Sequence, residues 1–165
     1  MGPAGPNPPI VLGMDPSTRA FGWAVLQKDE VIAFGEITPK GGKNRIDRLT
    51  YIYNELESIL DRYQPDMASA EDTFVWGKNF DTAMRLSEVR GVAMLALGRR
   101  KIPLTLFKPS FLKLVLNGSG KAGKNDMIAS ARKIFNIPRL TSNEADAIAA
   151  ALALIRDPAS GYLIA

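Results

Sequence analysis

Three carboxylates interrupt stretches of the sequence that are otherwise apolar. Asp15 closes an apolar run near the start, Glu71 follows a half-apolar run, and Asp146 opens a nearly continuous apolar run. A buried carboxylate costs free energy unless a cation or hydrogen bonds compensate for its charge. Three such acids in one chain therefore favour a single site in which they act together.

The chain contains neither histidine nor cysteine. This absence excludes catalysis by a Ser-His or Cys-His pair, zinc sites built on these ligands, and disulfides. Clustered carboxylates repel one another and need compensating cations. Oxygen ligands select Mg²⁺ or Mn²⁺, and two such ions can hold the attacking and leaving oxygens of an in-line displacement at a phosphate.

Each acid taken alone also has an ordinary structural interpretation. Asp15 is typical of a turn, and Glu71 is typical of a solvated strand end. Glu144 and Asp146 are residues that the positive end of a helix favours. The candidates for the cap of that helix are Ser142 and Asn143.

The first half of the chain predicts the strands that would carry two of these acids. Short turns join the first three strands, which therefore form an antiparallel meander. An amphipathic helix then crosses over to a fourth strand, which would run parallel to the first and end near Glu71. The predicted strands cover residues 10–17, 20–28, 30–37 and 66–70, with the helix between residues 46 and 60.

The second half of the chain predicts four helices and one more strand. The last helix is apolar nearly all round, so we expect it to be buried against the sheet with Asp146 in its first turn. The fold class is thus α/β, with a mixed five-stranded sheet flanked by helices. The remaining elements cover residues 80–98 (helix), 101–107 (strand), 110–116 (helix), 117–124 (basic loop), a helix ending near 135, and 142–156 (helix).

Length and composition predict one domain in a chain of 165 residues. We expect a flexible leader at 1–9, one α/β domain at 10–157 and a C-terminal tail at 158–165. No apolar run is long enough for a membrane-spanning helix, and the lack of cysteine favours the cytoplasm. Lys and Arg exceed Asp and Glu by 21 to 17, which mildly favours an anionic partner.

Five stretches carry motifs in a recognisable order and spacing. They are Leu12 to Arg19 with Gly22, Ala70 to Phe74 with Lys78 and Asn79, Leu86 to Met94, Lys113 to Lys124, and Glu144 to Ala149. Through them the chain resembles the RuvC family of Holliday junction resolvases over roughly residues 10–156. The Arg-Gly-Val-Ala helix and the Gly-Ser-Gly basic loop are the more specific motifs.

The resemblance implies an RNase H-like fold and a homodimer that nicks two opposed strands of a four-way DNA junction in recombination and repair. It places the family's catalytic acids on Asp15, Glu71 and Asp146, which would bind two divalent ions, Mg²⁺ or Mn²⁺. It leaves open which junction sequence is cut and whether a branch-migration complex joins the enzyme.

The chain departs from the family pattern at Asn143. The family usually has an acid or a histidine three residues before its last Asp. An amide oxygen can bind a metal but carries no charge, and the neighbouring Glu144 is the alternative ligand. The expected catalytic set is therefore Asp15, Glu71 and Asp146, completed by Asn143 or Glu144.

DNA contacts are expected on two loops. The resemblance places an aromatic wedge for the crossover at Phe74, with Trp76 as the alternative because the loop is one residue longer than the family's pattern. Lys78 lies in the same matching stretch, and the resemblance assigns backbone contacts to Lys113 and Lys124. The glycines of the basic loop let a ligand approach the backbone closely. We therefore expect one further phosphate contact in this loop, at Lys121.

The prediction is a divalent-metal-dependent crossover junction endodeoxyribonuclease. One alternative is an RNase H-like nuclease that acts on RNA. The other is a module that binds branched DNA without cutting it, which the amide at Asn143 keeps open.

Overall fold

The computed structural model describes residues 7–40, 44–72 and 80–164. Its strands are β1 Ile10–Asp15, β2 Phe21–Gln27, β3 Glu30–Ile37, β4 Met67–Glu71, β5 Leu104–Phe107 and β6 Tyr162–Leu163. Its helices are α1 Arg45–Tyr63, α2 Phe80–Arg99, α3 Pro109–Asn117, α4 Lys124–Phe135 and α5 Ser142–Arg156, followed by a 3₁₀ turn at Pro158–Ser160. No helix within these ranges is both long and apolar enough to cross a membrane.

The strands form one mixed sheet in the order β3-β2-β1-β4-β5-β6. β1, β2 and β3 pair antiparallel, as their short turns predict. The crossovers through α1 and α2 make β4 parallel to β1 and β5 parallel to β4. This arrangement confirms the predicted RNase H-like mixed sheet flanked by helices.

Two apolar cores lie on the two faces of this sheet. Side chains alternate between faces along a strand, so Val11 of β1 joins α3, α4 and α5, whereas Leu12 joins α1 and α2. The predicted burial of α5 is confirmed, because every residue from Ala147 to Leu154 is buried. The last helix therefore fills the middle of one core.

The predicted count of five strands is wrong by one, because β6 forms within the segment expected as a tail. β6 pairs antiparallel with β5. Gly161 permits this pairing, since a β-carbon there would lie 2.5 Å from Cγ2 of Thr105. Two residues are too few to show strand periodicity in a sequence, and backbone pairing to an existing edge forms this strand.

Candidate active site

The three acids lie where the sequence analysis expects them within their elements: Asp15 ends β1, Glu71 ends β4, and Asp146 lies in the first two turns of α5. The register pairs Met14 with Ala70, so Asp15 and Glu71 come next in line on adjacent parallel strands. Neighbouring strands are about 4.8 Å apart, and both side chains are on the face that α5 covers. The sheet edge and the helix start thus bring the acids to one place.

Two glycines allow α5 to pack directly on the sheet. A β-carbon on Gly13 would overlap the backbone oxygen of Ala147, and one on Gly22 would overlap the backbone of Asn143. Because these overlaps involve backbone atoms, no side-chain rotation could relieve them. Glycine at both positions therefore sets how close Asn143 and Asp146 come to the ends of the strands.

Asp15 titrates far from the range of an ordinary carboxylic acid. Burial raises the pKa of Asp15 to about 7, with further increases from the negative charges of Asp146, Glu71 and Glu36. Lys124 opposes this increase. The acids thus lie within one another's electric field, and their mutual repulsion disfavours ionisation of Asp15.

Asp146 shows the same effect more weakly. Burial raises the pKa of Asp146 to about 6, and the charge of Glu71 contributes, whereas Lys124 and Lys113 lower it. Lys113 lies on α3 and Lys124 is the first residue of α4. Both predicted phosphate-binding lysines therefore act on the carboxylates, which puts positive charge beside the acid cluster.

The donor set fits a divalent cation of the Mg²⁺ type. The candidate donors are oxygens, and burial together with the neighbouring negative charges raises the pKa of Asp15 and of Asp146, which a bound cation would oppose. Within the described ranges, however, no three carboxylates lie close enough together to hold a cation as they stand. A cation held by all three acids at once would therefore require side chains to move.

The residue after Glu71 anchors this end of β4. The amide of Asp72 donates a 2.7 Å hydrogen bond to the backbone oxygen of Phe107. Its carboxylate lies 4.0 Å from a guanidinium nitrogen of Arg90 on α2 and accepts a hydrogen bond from Tyr162, which raises the tyrosine pKa. The sixth strand and α2 thus both contact the strand end that carries Glu71.

Asn143 is held by its side-chain nitrogen. The Nδ2 atom donates to the backbone oxygen of Ala20 at 3.2 Å and to Oε1 of Glu36 at 2.9 Å. Glu36 also accepts a 2.6 Å hydrogen bond from the hydroxyl of Thr141. Glu36 is thus a fourth carboxylate at the site, joined to the start of α5.

Glu144 takes part in capping α5 rather than standing free beside Asn143. Its Oε2 atom accepts a 2.8 Å hydrogen bond from the amide of Thr141, and the Thr141 hydroxyl accepts one from the amide of Glu144. This is a capping box, T-x-x-E, in which each side chain bonds to the other residue's amide. The N-cap is therefore Thr141, and the expectation that Ser142 or Asn143 caps this helix is wrong by one or two residues.

The structure describes three of the six predicted DNA-binding residues. Lys113 and Lys124 act electrostatically on Asp146. Lys121 lies exposed in the loop between α3 and α4. Phe74, Trp76 and Lys78 lie outside the described residues.

Sequence reasoning missed Glu36, because its alignment with the acids depends on the register of the strands. The register pairs Asp15 with Gly22 and Gly22 with Glu36, so the three residues form one row across β1, β2 and β3. Residues paired in this way share a face of the sheet. The pairing of β2 with β3 shifts by one residue between Val25 and Leu26, so counting back from the turn would have paired Gly22 with Gly35 instead of Glu36.

Known proteins share both the sequence and the fold of this chain. The family pattern described as "Crossover junction endodeoxyribonuclease RuvC" matches residues 11–154. A protein of that name from Chloroflexus aggregans is 37% identical over 148 residues, which cover 86% of this chain and 89% of the relative. One from Rickettsia rickettsii is 35% identical, with 86% and 94% covered.

A solved structure supports the same relationship at the level of the fold. Thermus thermophilus RuvC in complex with a Holliday junction substrate superimposes with a TM-score of 0.82 at 21% identity, covering 94% of this chain and 99% of that protein. The match in sequence spans nearly the whole domain that holds the acids. The chain belongs to the RuvC family of crossover junction endodeoxyribonucleases.

Proposed function

We propose that Asp15, Glu71 and Asp146 are the catalytic residues with which this junction endonuclease resolves four-way DNA junctions. The observation that carries the proposal is that Asp15 and Glu71 end adjacent parallel strands on the face covered by α5, which carries Asp146. Family membership supplies the substrate class, a crossover junction in DNA.

The acids would hold divalent cations, with the amide oxygen of Asn143 as a further donor. When bound, such cations supply Lewis acidity for in-line displacement at phosphorus. The capping box of Glu144 argues against that carboxylate as a ligand. We propose two ions per site, as the family resemblance implies, and we assign them as Mg²⁺ or Mn²⁺ because the donors are oxygens.

The lysines beside the acids would hold the phosphate backbone of the cut strand. Lys113 and Lys124 already lower the pKa of Asp146, so a phosphate bound between them would lie next to the acids. Lys121 would extend the contact along the strand. An aromatic side chain, Phe74 or Trp76, would stack on bases at the branch point, which is worth about 1–3 kcal/mol per base.

Two symmetric cuts need two active sites, and we propose a homodimer formed through α2. That helix exposes four large apolar side chains although it belongs to a folded domain. A β-carbon on Gly91 would meet no atom within 4 Å, so this face is open to close packing. The exposed side chains are Phe80, Met84, Met94 and Leu95.

The decisive experiment is cleavage of a synthetic four-way junction by the purified chain in Mg²⁺ or Mn²⁺. Asp146→Asn should abolish cutting and leave junction binding intact, because it removes charge and preserves side-chain size. Asp157→Asn, after the other end of α5, is the matched control and should cut normally. Paired nicks that DNA ligase reseals are the expected products.

The same assay separates the alternatives. Cleavage of RNA with an intact DNA junction would identify an RNA nuclease. Binding of the junction without cleavage in either metal would identify a binding module. Full cutting by the Asp146→Asn variant would remove this residue from the mechanism. The cytoplasm stays the predicted location because the proposed substrate is DNA, and a branch-migration complex stays a predicted partner.

A further inference from the structure

Glu36 connects the edge strand of the sheet to the start of α5. It belongs to β3, two strands away from Asp15, and its side chain is partly buried. One carboxylate oxygen accepts hydrogen bonds from Thr141 at 2.6 Å and from Asn143 at 2.9 Å. Hydrogen bonds to a charged acceptor are shorter and stronger than neutral ones. Glu36 therefore fixes both residues with respect to the sheet.

These hydrogen bonds determine which way the amide of Asn143 points. The Nδ2 atom faces two acceptors, the Glu36 carboxylate and the backbone oxygen of Ala20. A reversed amide would place its oxygen against both acceptors and would be repelled by them. The Oδ1 atom is thus turned away from Glu36 and Ala20, and it remains the atom with which Asn143 can ligate a cation.

Glu36 also supplies negative charge at the position where helix α5 lacks it. Residue 143 carries an amide, which has no charge to offer a cation. The carboxylate that bonds to this amide is close enough to the acids to raise the pKa of Asp15. A neutral ligand and a charged neighbour are therefore combined in one hydrogen-bonded pair.

We propose that Glu36 is a positioning residue for the metal site, which orients Asn143 as a ligand and adds the carboxylate charge that residue 143 lacks. This inference rests on the proposed function. In this proposal Asn143 on α5 supplies the ligand oxygen, and Glu36 on β3 supplies the negative charge. Together they replace a single acid at position 143.

The test is the affinity of the DNA-free protein for Mn²⁺, measured by titration calorimetry. Outer partners of metal ligands typically change metal affinity by about 10–100-fold when they are removed. Glu36→Ala should therefore weaken Mn²⁺ binding by about 10-fold or more. Glu36→Gln keeps one side-chain oxygen that can accept both hydrogen bonds, and it should recover part of that loss. Glu30→Ala, at the exposed start of the same strand, is the matched control and should bind normally.

A second pair of variants separates positioning from general damage to the fold. In an Asn143→Asp background, residue 143 carries its own charge, and Glu36 becomes a repelling neighbour. Removing Glu36 should then leave Mn²⁺ affinity unchanged or improve it. A purely structural loss would weaken binding in both backgrounds, so reversal of the effect is specific to the proposed role.

A metal-free measurement tests the orientation of the amide directly. Side-chain amide protons of Asn143, observed by NMR, should exchange with water faster in Glu36→Ala than in the parent protein. Thermal unfolding of each variant checks that it is folded.

Three results would overturn the proposal: unchanged Mn²⁺ affinity in a folded Glu36→Ala variant, no recovery with Gln, or equal losses in both backgrounds. Failure of the proposed function would give a different result. In that case the parent protein would not cut a junction, and the Asp146→Asn substitution would not lower the affinity for Mn²⁺.

Discussion

Gly22 lies directly against Asn143, and the backbone of Asn143 occupies the space that a side chain on Gly22 would need. The same relation joins Gly13 to Ala147 one turn further along α5. The first turns of the helix therefore rest on the backbone of β1 and β2. The position of Asn143 and Asp146 above the sheet depends on this close approach.

Gly22→Ala should displace the start of α5. The added methyl group meets backbone atoms, and overpacking of this kind costs about 1–3 kcal/mol. A shift of about 1 Å in a catalytic group can cost about 100-fold in rate, so we expect a large loss of junction cleavage. Denaturant unfolding and a cleavage assay measure the two effects.

Ser58→Ala on the exposed surface of α1 is the control, because the Ser58 hydroxyl donates its hydrogen bond to the backbone oxygen of Asn54 within the same helix. It should fold and cut like the parent protein. Normal cutting by a folded Gly22→Ala variant would show that the site tolerates movement of α5.

Without metal, the protein should lose stability as pH rises through the neutral range. Asp15 and Asp146 have a pKa of about 7 and about 6 in the folded chain, above the ordinary value of 3.8. Between pH 4 and 7 the folded state holds more protons than the unfolded state, so the free energy of unfolding falls with pH. Each unit by which the folded-state pKa exceeds the ordinary value corresponds to at most about 1.4 kcal/mol in the free energy of unfolding.

Melting temperatures in EDTA at pH 5 and pH 7.5 measure this effect, and we expect the value at pH 7.5 to be lower by several degrees. Asp146→Asn should reduce the difference, since it removes one titrating group and one repelling charge. Saturating Mg²⁺ should restore stability at pH 7.5. A melting temperature that rises between these pH values in EDTA would contradict the coupling of the acids.

Removal of a lysine beside the acids should weaken cleavage. Lys113→Ala and Lys124→Ala each remove a charged contact to phosphate, worth about 1.5–3 kcal/mol, so we expect a loss of about 10-fold or more. The logarithm of the junction-binding constant falls linearly with the logarithm of the salt concentration. The slope of this line should become shallower by about one unit for each lost phosphate contact.

Lys133→Ala, in the last turn of α4, provides a control at the far end of the same helix as Lys124. It should bind and cut normally. An equal effect of all three substitutions would mean that the basic charge acts through the whole surface and not at the acid site.

Leu95→Glu should prevent dimer formation. Leu95 is 58% exposed on the face of α2 that we assign to the dimer, and burying a charged side chain there without a partner is costly. Sedimentation should report a monomer, and paired nicking should give way to single nicks or none. Ile134→Glu on α4, where the side chain is 47% exposed, is the control. A Leu95→Glu protein that remains dimeric would exclude this face.

The sequence was sufficient to predict the elements that carry the three acids. Apolar periodicity and short turns mark β1, β4 and α5, and the position of an acid at the end of an apolar run can be read residue by residue. Burial of one helix face or one strand face is a local pattern, so the order of strands and helices followed from it, whereas the RNase H-like assignment came from the family resemblance. The absence of histidine and cysteine limited the chemistry to oxygen ligands.

Tertiary structure decided what lies next to these acids. The hydrogen bonds from Thr141 and Asn143 to Glu36 join residues more than one hundred positions apart, and they depend on how α5 lies across β2 and β3. The capping box and the sixth strand depend on backbone partners that composition does not reveal. Contacts between distant segments depend on strand register and on packing distance, which local periodicity does not specify. For that reason Asp15 was visible in the sequence, whereas Glu36 emerged only in the folded chain.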